Sequence, residues 1–220
     1  LEAKPDTKAA DVRARLQNSA DPKPWSLNPG LGLLDGTQRQ GAGMLDIDDA
    51  ILSTVNVEPG KLSLGESGAG PHVRALTIRN DGSSGVTFDL SHASALATGP
   101  QNATNFATVS YLDAPADMSF SVPSVFVPPR GSDTLDVTIA PNSALANLST
   151  YGGYIVLTPQ GGGQVYRVQL AGLKGDYQLI QVLKPTANGF PWLAKVAGSS
   201  LVNQPAGATY TLAGGDIPVF

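Results

Sequence analysis

Ser67 and His72 are the residues whose types and spacing could do covalent chemistry. They lie in the stretch GESGAGPHV at residues 65–73, where a serine in a glycine-rich segment is followed closely by a histidine. A serine hydroxyl becomes a useful nucleophile only when a base takes its proton and an acid orients that base. The chain has two histidines, His72 and His92, so only these could act as an imidazole base. The question is whether this chain carries out acyl transfer.

The stretch resembles the nucleophile motif of subtilisin-like serine peptidases, Gly-Thr-Ser-Met-Ala-x-Pro-His-Val. The matching residues are Gly65, Ser67, Ala69, Pro71, His72 and Val73. In that family a buried helix of small and apolar residues follows the serine. Here HVRALTIRNDGSSG follows and alternates like a strand, and Arg74 and Arg79 would be buried in the helix at a large desolvation cost. The family's Asp-Ser/Thr-Gly and His-Gly-Thr-His strings do not precede Ser67. We therefore predict a polar turn between two strands and no catalytic residue in this chain.

Composition favours short strands joined by turns. The 220 residues include 25 glycines and 17 prolines, and only 15% are charged. This argues against a helical bundle, whereas a hydrophobic content of 41% argues against disorder. A net charge of −4 without a basic run argues against nucleic-acid binding. The absence of cysteine excludes disulfides and thiolate metal sites, and no apolar run is long enough for membrane insertion.

Two short helices are predicted before residue 55. The first covers residues 7–20, is capped by Thr7 or Asp6 and ends at the prolines of DPKPW. Its apolar stripe consists of Ala9, Val12 and Leu16. The second lies in QRQGAGMLDIDDAILSTV and contains Met44 or Leu45, Asp48, Ile51 and Leu52.

From Val55 the apolar period changes from about 3.6 to 2, which predicts roughly seven to eight strands between residues 55 and 173. Turn signals recur every ~8–12 residues, as is typical of a β-sandwich. Strands are predicted in residues 106–112, 120–129, 133–141, 152–160 and 164–172, and in VEPGKLSLGES, HVRALTIRN and GVTFDLSH before them. The predicted inward side chains include Leu62, Leu64, Val73, Ala75 or Leu76, Ile78, Val86, Phe88, Leu90, Leu135, Val137 and Ile139. PQGGGQ is predicted to be a hairpin loop and Asp81-Gly82 a turn.

Two further segments resemble parts of large secreted or cell-envelope subtilisin-like proteases. DVRARLQNSADP resembles the helix after the nucleophile helix, and QRQGAGMLDIDDAI resembles the closing segment of the peptidase domain, with matches at Gly41, Ala42, Gly43, Asp46 and Ala50. PGKLSLGE, residues 78–91 and GGYIVLTPQGGGQVYRVQLAGLKGDY resemble the fibronectin type III-like module that follows that domain. The resemblance covers roughly residues 8–180.

The resemblance implies three segments. Residues 1–54 would be the C-terminal helices of a truncated peptidase domain, 55–173 a fibronectin type III-like, immunoglobulin-like β-sandwich, and 174–220 the start of a further β module or an extension. A chain that opens on Leu1 is expected to be a piece of a longer protein. The apolar faces of the helices, with Val12, Leu16, Ile51 and Leu52, would then lack their partner within this chain.

Several other residues are candidates for binding groups. Asp46, Asp48 and Asp49 could bind calcium, but acidic residues also favour a helix N-terminus through its dipole. His92 alone is more typical of a structural role than of metal binding. Trp25 and Trp192 give no aromatic platform, and Tyr151, Tyr154 and Tyr166 are predicted to be strand side chains. Glycosylation sequons occur at Asn102 to Thr104 and at Asn147 to Ser149.

The sequence thus predicts a mainly β, non-catalytic accessory region of a bacterial subtilisin-like serine endopeptidase, extracellular or attached to the cell envelope. Its partners would be the missing peptidase domain and protein substrates. No cofactor and no metal-binding residue is predicted. The alternative is a stand-alone adhesion or glycan-binding β-sandwich, and an in-frame Gly-Thr-Ser-Met-Ala-x-Pro-His motif within about a helix length upstream of Leu1 would distinguish the two.

Overall fold

The computed structural model describes residue 5 and residues 7–100, 110–179 and 194–203. The chain divides into two compact units, Leu1–Tyr177 and Gln178–Phe220. Several predicted features lie outside the described residues: Trp192, the sequon at Asn102 and most of the strand in residues 106–112.

Among the described residues, three α-helices precede the strands, one more than predicted. They are α1 (Ala9–Ser19), α2 (Thr37–Gln40) and α3 (Ile47–Leu52). The residue at the N-cap of α1 is Lys8, which makes no side-chain capping bond, so the predicted cap at Thr7 is wrong, and Asp6 lies outside the described residues. Met44 and Leu45 precede α3 because Asp46 caps it, its Oδ1 accepting the N–H of Asp49 at 2.9 Å.

Eleven strands lie between residues 55 and 173 in the described part of the chain. They are β1 (Val55–Glu58), β2 (Lys61–Glu66), β3 (His72–Asn80), β4 (Val86–Ser94), β5 (Ala97–Thr98), β6 (Tyr111–Leu112), β7 (Asp117–Phe120), β8 (Ser124–Val127), β9 (Gly131–Ala140), β10 (Thr150–Pro159) and β11 (Tyr166–Leu173). In the second unit, β12 (Ala194–Ala197) and β13 (Ser200–Asn203) form a hairpin.

The first eleven strands build two sheets. The four-stranded sheet has the order β1-β3-β9-β7. The seven-stranded sheet has the order β2-β11-β10-β4-β8, with β5 on β10 and β6 on β5. All pairs are antiparallel except β2 with β11, which is parallel. The predicted β-sandwich is confirmed.

Prolines explain two of the strands that the sequence did not predict. Residues 120–129 were predicted as one strand, but β7 ends at Phe120 in one sheet and β8 starts at Ser124 in the other. Pro123 lies between them, and proline cannot donate a ladder hydrogen bond in a strand interior. Pro59 and Gly60 likewise separate β1 from β2, which belong to different sheets.

The core between the sheets follows the predicted alternation in β4 and β9. Phe88 is fully buried, Val86 and Leu90 pack against the core, and Asp89 is exposed. The same holds in β9, where the buried side chains are Leu135, Val137 and Ile139. In β3 the prediction for Val73 is wrong. Val73 is 57% exposed, because Leu76 and Ile78 set the inward register and place Arg74 on that side instead.

Residues 7–54, which we call the N-terminal layer, pack on the sandwich from outside. Tyr154 in β10 is fully buried, although it does not belong to the core between the sheets. Its hydroxyl donates to the carbonyl of Gly41 at 2.9 Å, and the hydroxyl of Thr37 donates to the carbonyl of Leu170 at 2.8 Å. The seven-stranded sheet is therefore covered on this outer face as well as on its core face.

Helix α1 has a partner surface within this chain, contrary to our expectation. Asn18 accepts the N–H of Val57 at 2.8 Å and donates to the carbonyl of Arg167 at 3.1 Å, so it connects β1 of one sheet to β11 of the other. The helix covers the open edge of β1, where unpaired backbone groups would otherwise face water. By contrast, Ile51 and Leu52 remain exposed, as expected for side chains that lack a partner.

Candidate interaction surface

Ser67 lies in the turn that links β2 to β3. Its N–H donates to the carbonyls of Leu173 and Gly175 at 3.0 and 3.1 Å, and its hydroxyl accepts the N–H of Gly175 at 3.0 Å. A strand beginning at His72 follows it, rather than a helix. The predicted turn between two strands is confirmed, and the Ser67 hydroxyl holds backbone in place.

His72 of β3 and Tyr151 of β10 are polar residues whose pKa values are both affected by the charge of Arg74. Burial lowers the pKa of His72, and the charge of Arg74 lowers that pKa further. A hydrogen bond with the Glu66 backbone has the opposite effect and raises it. Burial raises the pKa of Tyr151 to about 12, with Arg74 acting in the opposite direction. The Tyr151 ring lies against Gly172, where a side chain would have no room. Among the described residues, His72 Nε2 and the Tyr151 hydroxyl are buried without a hydrogen-bond partner.

The acidic residues near α3 act on the helix start. Asp46 caps the helix, and Asp48 and Asp49 lie in its first turn. Burial raises the pKa of Asp49, and the carboxylates of Asp46, Asp21 and Asp48 raise it further. In the part of the chain that the structure describes, no group of three or more histidine, aspartate or glutamate side chains is placed to hold a metal ion. His92 lies in β4 and is exposed.

The aromatic residues form contacts that the sequence did not predict. Trp25 packs on Tyr111 with ring centroids 5.2 Å apart, and Arg39 lies 5.6 Å from the Tyr111 centroid while donating to its hydroxyl at 2.8 Å. These residues lie on separate segments, and no periodicity relates them. As predicted, Tyr151, Tyr154 and Tyr166 are strand side chains. The Trp25 and Tyr111 rings are tilted by 43°, so they do not form one flat platform.

Ion pairs fix the N-terminal layer to the sandwich. Arg15 of α1 pairs with Asp81 at 2.9 Å and donates to the carbonyl of Ser53 at 3.0 Å. Arg79 in β3 reaches Asp11 of α1 at 3.2 Å. The Arg15 side chain is only 10% exposed, so its contacts are screened less than those of a surface pair. Because Ser53 follows α3 directly, the same arginine also fixes the position of that helix.

Large apolar side chains are exposed on the outer side of this layer. Of thirteen such side chains among the described residues, seven lie between residues 27 and 52. Five of these form what we call the α3 surface: Met44 (62% exposed), Leu45 (57%), Ile47 (51%), Ile51 (40%) and Leu52 (74%). The side of the layer that faces inward carries small residues instead, with Ala14, Ala20 and Ala50 buried. Concentrated exposed apolar area of this kind marks interaction sites in soluble proteins.

Two surface pockets lie close to the β3–β4 turn. One of about 450 Å³ is lined by Arg79, Asp81, Arg130, Gly131 and Ser132, and Arg79 and Asp81 pair with each other across 3.2 Å. The other, of about 260 Å³, has an uncharged lining that includes Asn80, Gln164 and Tyr166. Neither pocket lining includes Ser67, His72 or His92.

No membrane-spanning helix is found among the described residues. No curated protein matches this chain. Solved structures that it resembles include a PapD-like domain of human CEP192 (15% identity over 55% of this chain and 84% of that one, TM-score 0.41). Others are the CooA pilin subunit of enterotoxigenic Escherichia coli (13% identity, 56% and 100%, TM-score 0.36) and the E. coli chaperone DraB (9% identity, 54% and 53%, TM-score 0.34).

A family model described as an Fn3-like domain matches residues 62–169. The matched segment starts in β2 and ends in β11, so it contains most of both sheets. Its bounds fall inside the strands that the sequence assigned to a fibronectin type III-like module. The sandwich of this chain is an Fn3-like β-sandwich module.

Proposed function

We propose that this chain is a non-catalytic accessory region of an extracellular or cell-envelope subtilisin-like serine endopeptidase of a bacterium. In this role it supports the catalytic domain and contributes to the recognition of protein substrates. The observation that carries the proposal is the α3 surface. Four of its five side chains lie in the segment QRQGAGMLDIDDAI and Leu52 follows directly, and this segment resembles the closing segment of a subtilisin-like peptidase domain.

The two sides of the N-terminal layer support this role. Its inner side is fixed to the sandwich by Asn18, Arg15 and Thr37, whereas its outer side exposes the large apolar side chains. A layer that is fixed on one side and apolar on the other can connect two bodies rigidly. We infer that the peptidase domain covers the outer side and that the sandwich holds the layer in the right place.

The proposal assigns catalysis to another domain. The Ser67 hydroxyl accepts a backbone N–H of Gly175, and the turn that contains it leads into a strand. We expect that this chain does not cleave casein and that a fluorophosphonate probe does not label it. Mass spectrometry of the probe-treated chain checks this. Labelling that disappears in Ser67→Ala would assign the active centre to this chain and overturn the proposal.

The reading frame upstream of the codon for Leu1 tests the proposal at the level of the parent protein. Sequencing should find an in-frame Gly-Thr-Ser-Met-Ala-x-Pro-His motif within about a helix length of Leu1. A frame that lacks this motif would contradict the proposal. Binding of the isolated chain to defined glycans on an array, together with such a frame, would support the adhesion or glycan-binding module instead.

A further inference from the structure

The α3 surface combines apolar side chains with one sign of charge. Residues 41–60 contain Asp46, Asp48, Asp49 and Glu58 and no lysine or arginine. Asp48 is exposed in the first turn of α3, between the exposed Ile47 and Ile51 in sequence. Apolar area with an acidic border therefore characterises this surface.

The cations close to this segment already have anionic partners. Arg167, whose charge reaches Asp49, pairs with Asp21 at 3.1 Å. Arg15, which contacts Ser53 at the end of α3, pairs with Asp81. The carboxylates around Asp49 meanwhile repel one another, which contributes to its raised pKa. Arg167 therefore offsets only part of the charge at Asp49, and within the described part of this chain Asp46, Asp48 and Asp49 form no ion pair.

We propose that the α3 surface binds a protein surface that presents an apolar groove bordered by lysine or arginine side chains. This inference rests on the proposed function, because it gives the chemistry of the partner at the surface that carries that function. Ile47 and Ile51 lie one helical turn apart and enter the groove together with Leu52, while Asp48 faces the basic border. An anionic lipid surface does not fit, since the acidic border would be repelled from it.

Two synthetic peptides test the chemistry on the chain itself. One is an amphipathic helix with leucine on one face and lysine on the other, and its twin carries glutamate in place of lysine. We expect the lysine peptide, added to ¹⁵N-labelled protein, to shift the amide resonances of residues 44–52. Its affinity should fall as sodium chloride is added, because salt screens the charged contacts. The glutamate peptide should bind much more weakly.

Substitutions separate the apolar and the charged contributions. Ile51→Ser combined with Leu52→Ser should weaken binding of the lysine peptide by about tenfold or more. Asp48→Asn should weaken it by about two- to fivefold at low salt. The matched control is Phe126→Ser, which removes an apolar side chain that is 56% exposed on β8 and should leave the affinity unchanged. Unshifted resonances in residues 73–78, which lie away from both substituted sites, show that each variant is folded.

Three results would overturn this inference. They are equal affinity for the glutamate peptide, resonance shifts that occur only outside residues 44–52, or an equal loss of affinity in the control and in the double variant. Binding to vesicles of anionic phospholipid through the same residues would assign the surface to a membrane and would also overturn it. The proposed function fails separately, through an upstream frame without a peptidase motif, and that result leaves the peptide experiment standing.

Discussion

Phe88 and Thr87 are neighbours in β4, yet their side chains point to opposite faces of the sheet. Phe88 is fully buried in the core and contacts Tyr166 edge-on, with ring centroids 5.7 Å apart. We expect Phe88→Ala to lower the free energy of unfolding by about 3–5 kcal/mol through lost burial and the cavity it leaves. Thr87→Ala should change it by no more than about 0.5 kcal/mol. Urea titrations measure both, and equal losses would contradict the alternation of β4.

His72 predicts a pH dependence of stability. Its pKa is lowered in the folded state, so between that value and the unfolded value of about 6.5 the unfolded chain binds more protons. The free energy of unfolding should therefore fall as the pH decreases from neutral through this window, and His72→Gln should remove part of the slope. Urea midpoints at about pH 7.5 and pH 5.5 check this. His92→Gln is the control at an exposed histidine, and an equal effect of the two substitutions would contradict the role of His72.

At this scale the sequence predicts a side chain's direction only where the alternation is unambiguous. In residues 86–90 of β4 and 135–139 of β9 apolar and polar residues alternate, and the inward side chains follow this pattern. At the start of β3, Val73 is the apolar residue and Arg74 the charged one, but the register set by Leu76 and Ile78 directs Val73 outward. The charge of Arg74 lowers the pKa of Tyr151 on another strand, and such an interaction between strands leaves no local sequence pattern.

At the scale of elements, a glycine in β10 tests how the N-terminal layer is attached. A Cβ at Gly152 would collide with the Thr37 hydroxyl of α2 and lie 2.8 Å from the backbone oxygen of Leu170. We expect Gly152→Ala to displace α2 and to lower the free energy of unfolding by about 1–3 kcal/mol. Gly161→Ala is the matched control, because that position has no neighbour within 4 Å. Urea titration gives the stabilities, and the amide signals of residues 37–41 report the displacement.

Equal stabilities of these two alanine variants, with unchanged signals for residues 37–41, would contradict the packing of α2 on β10.

The attachment of the N-terminal layer to the sandwich could not be predicted from the sequence. The period of 2 predicts most strands, and the closely spaced apolar residues predict α1. The layer, however, is held by single polar contacts such as Asn18 with the N–H of Val57 and the carbonyl of Arg167. These contacts join segments far apart in the chain, and neither helical nor strand periodicity encodes them.

At the scale of the whole molecule, the sequence predicts the fold class more accurately than it predicts how the N-terminal layer packs on the β-sandwich. The turn signals and the strand period are sufficient for a β-sandwich, and the Fn3-like match over residues 62–169 agrees with it. The candidate surface depends on which side of α3 faces the sandwich, and that becomes known only when α1 and Ser53 are placed. The apolar residues of α3 by themselves are equally compatible with a helix that buries them in its own chain.

The central claim is that the α3 surface is covered by a peptidase domain in the parent protein, and the two methionines of this chain provide its most direct test. Met44 belongs to the α3 surface and is 62% exposed, whereas Met118 is partly buried against the sandwich core. Oxidation to methionine sulfoxide depends on access to the sulfur and can be followed residue by residue by mass spectrometry. We predict that Met44 is oxidised several-fold more slowly in the parent protein than in the isolated chain, while the rate at Met118 is the same in both. An unchanged rate at Met44 would contradict the claim.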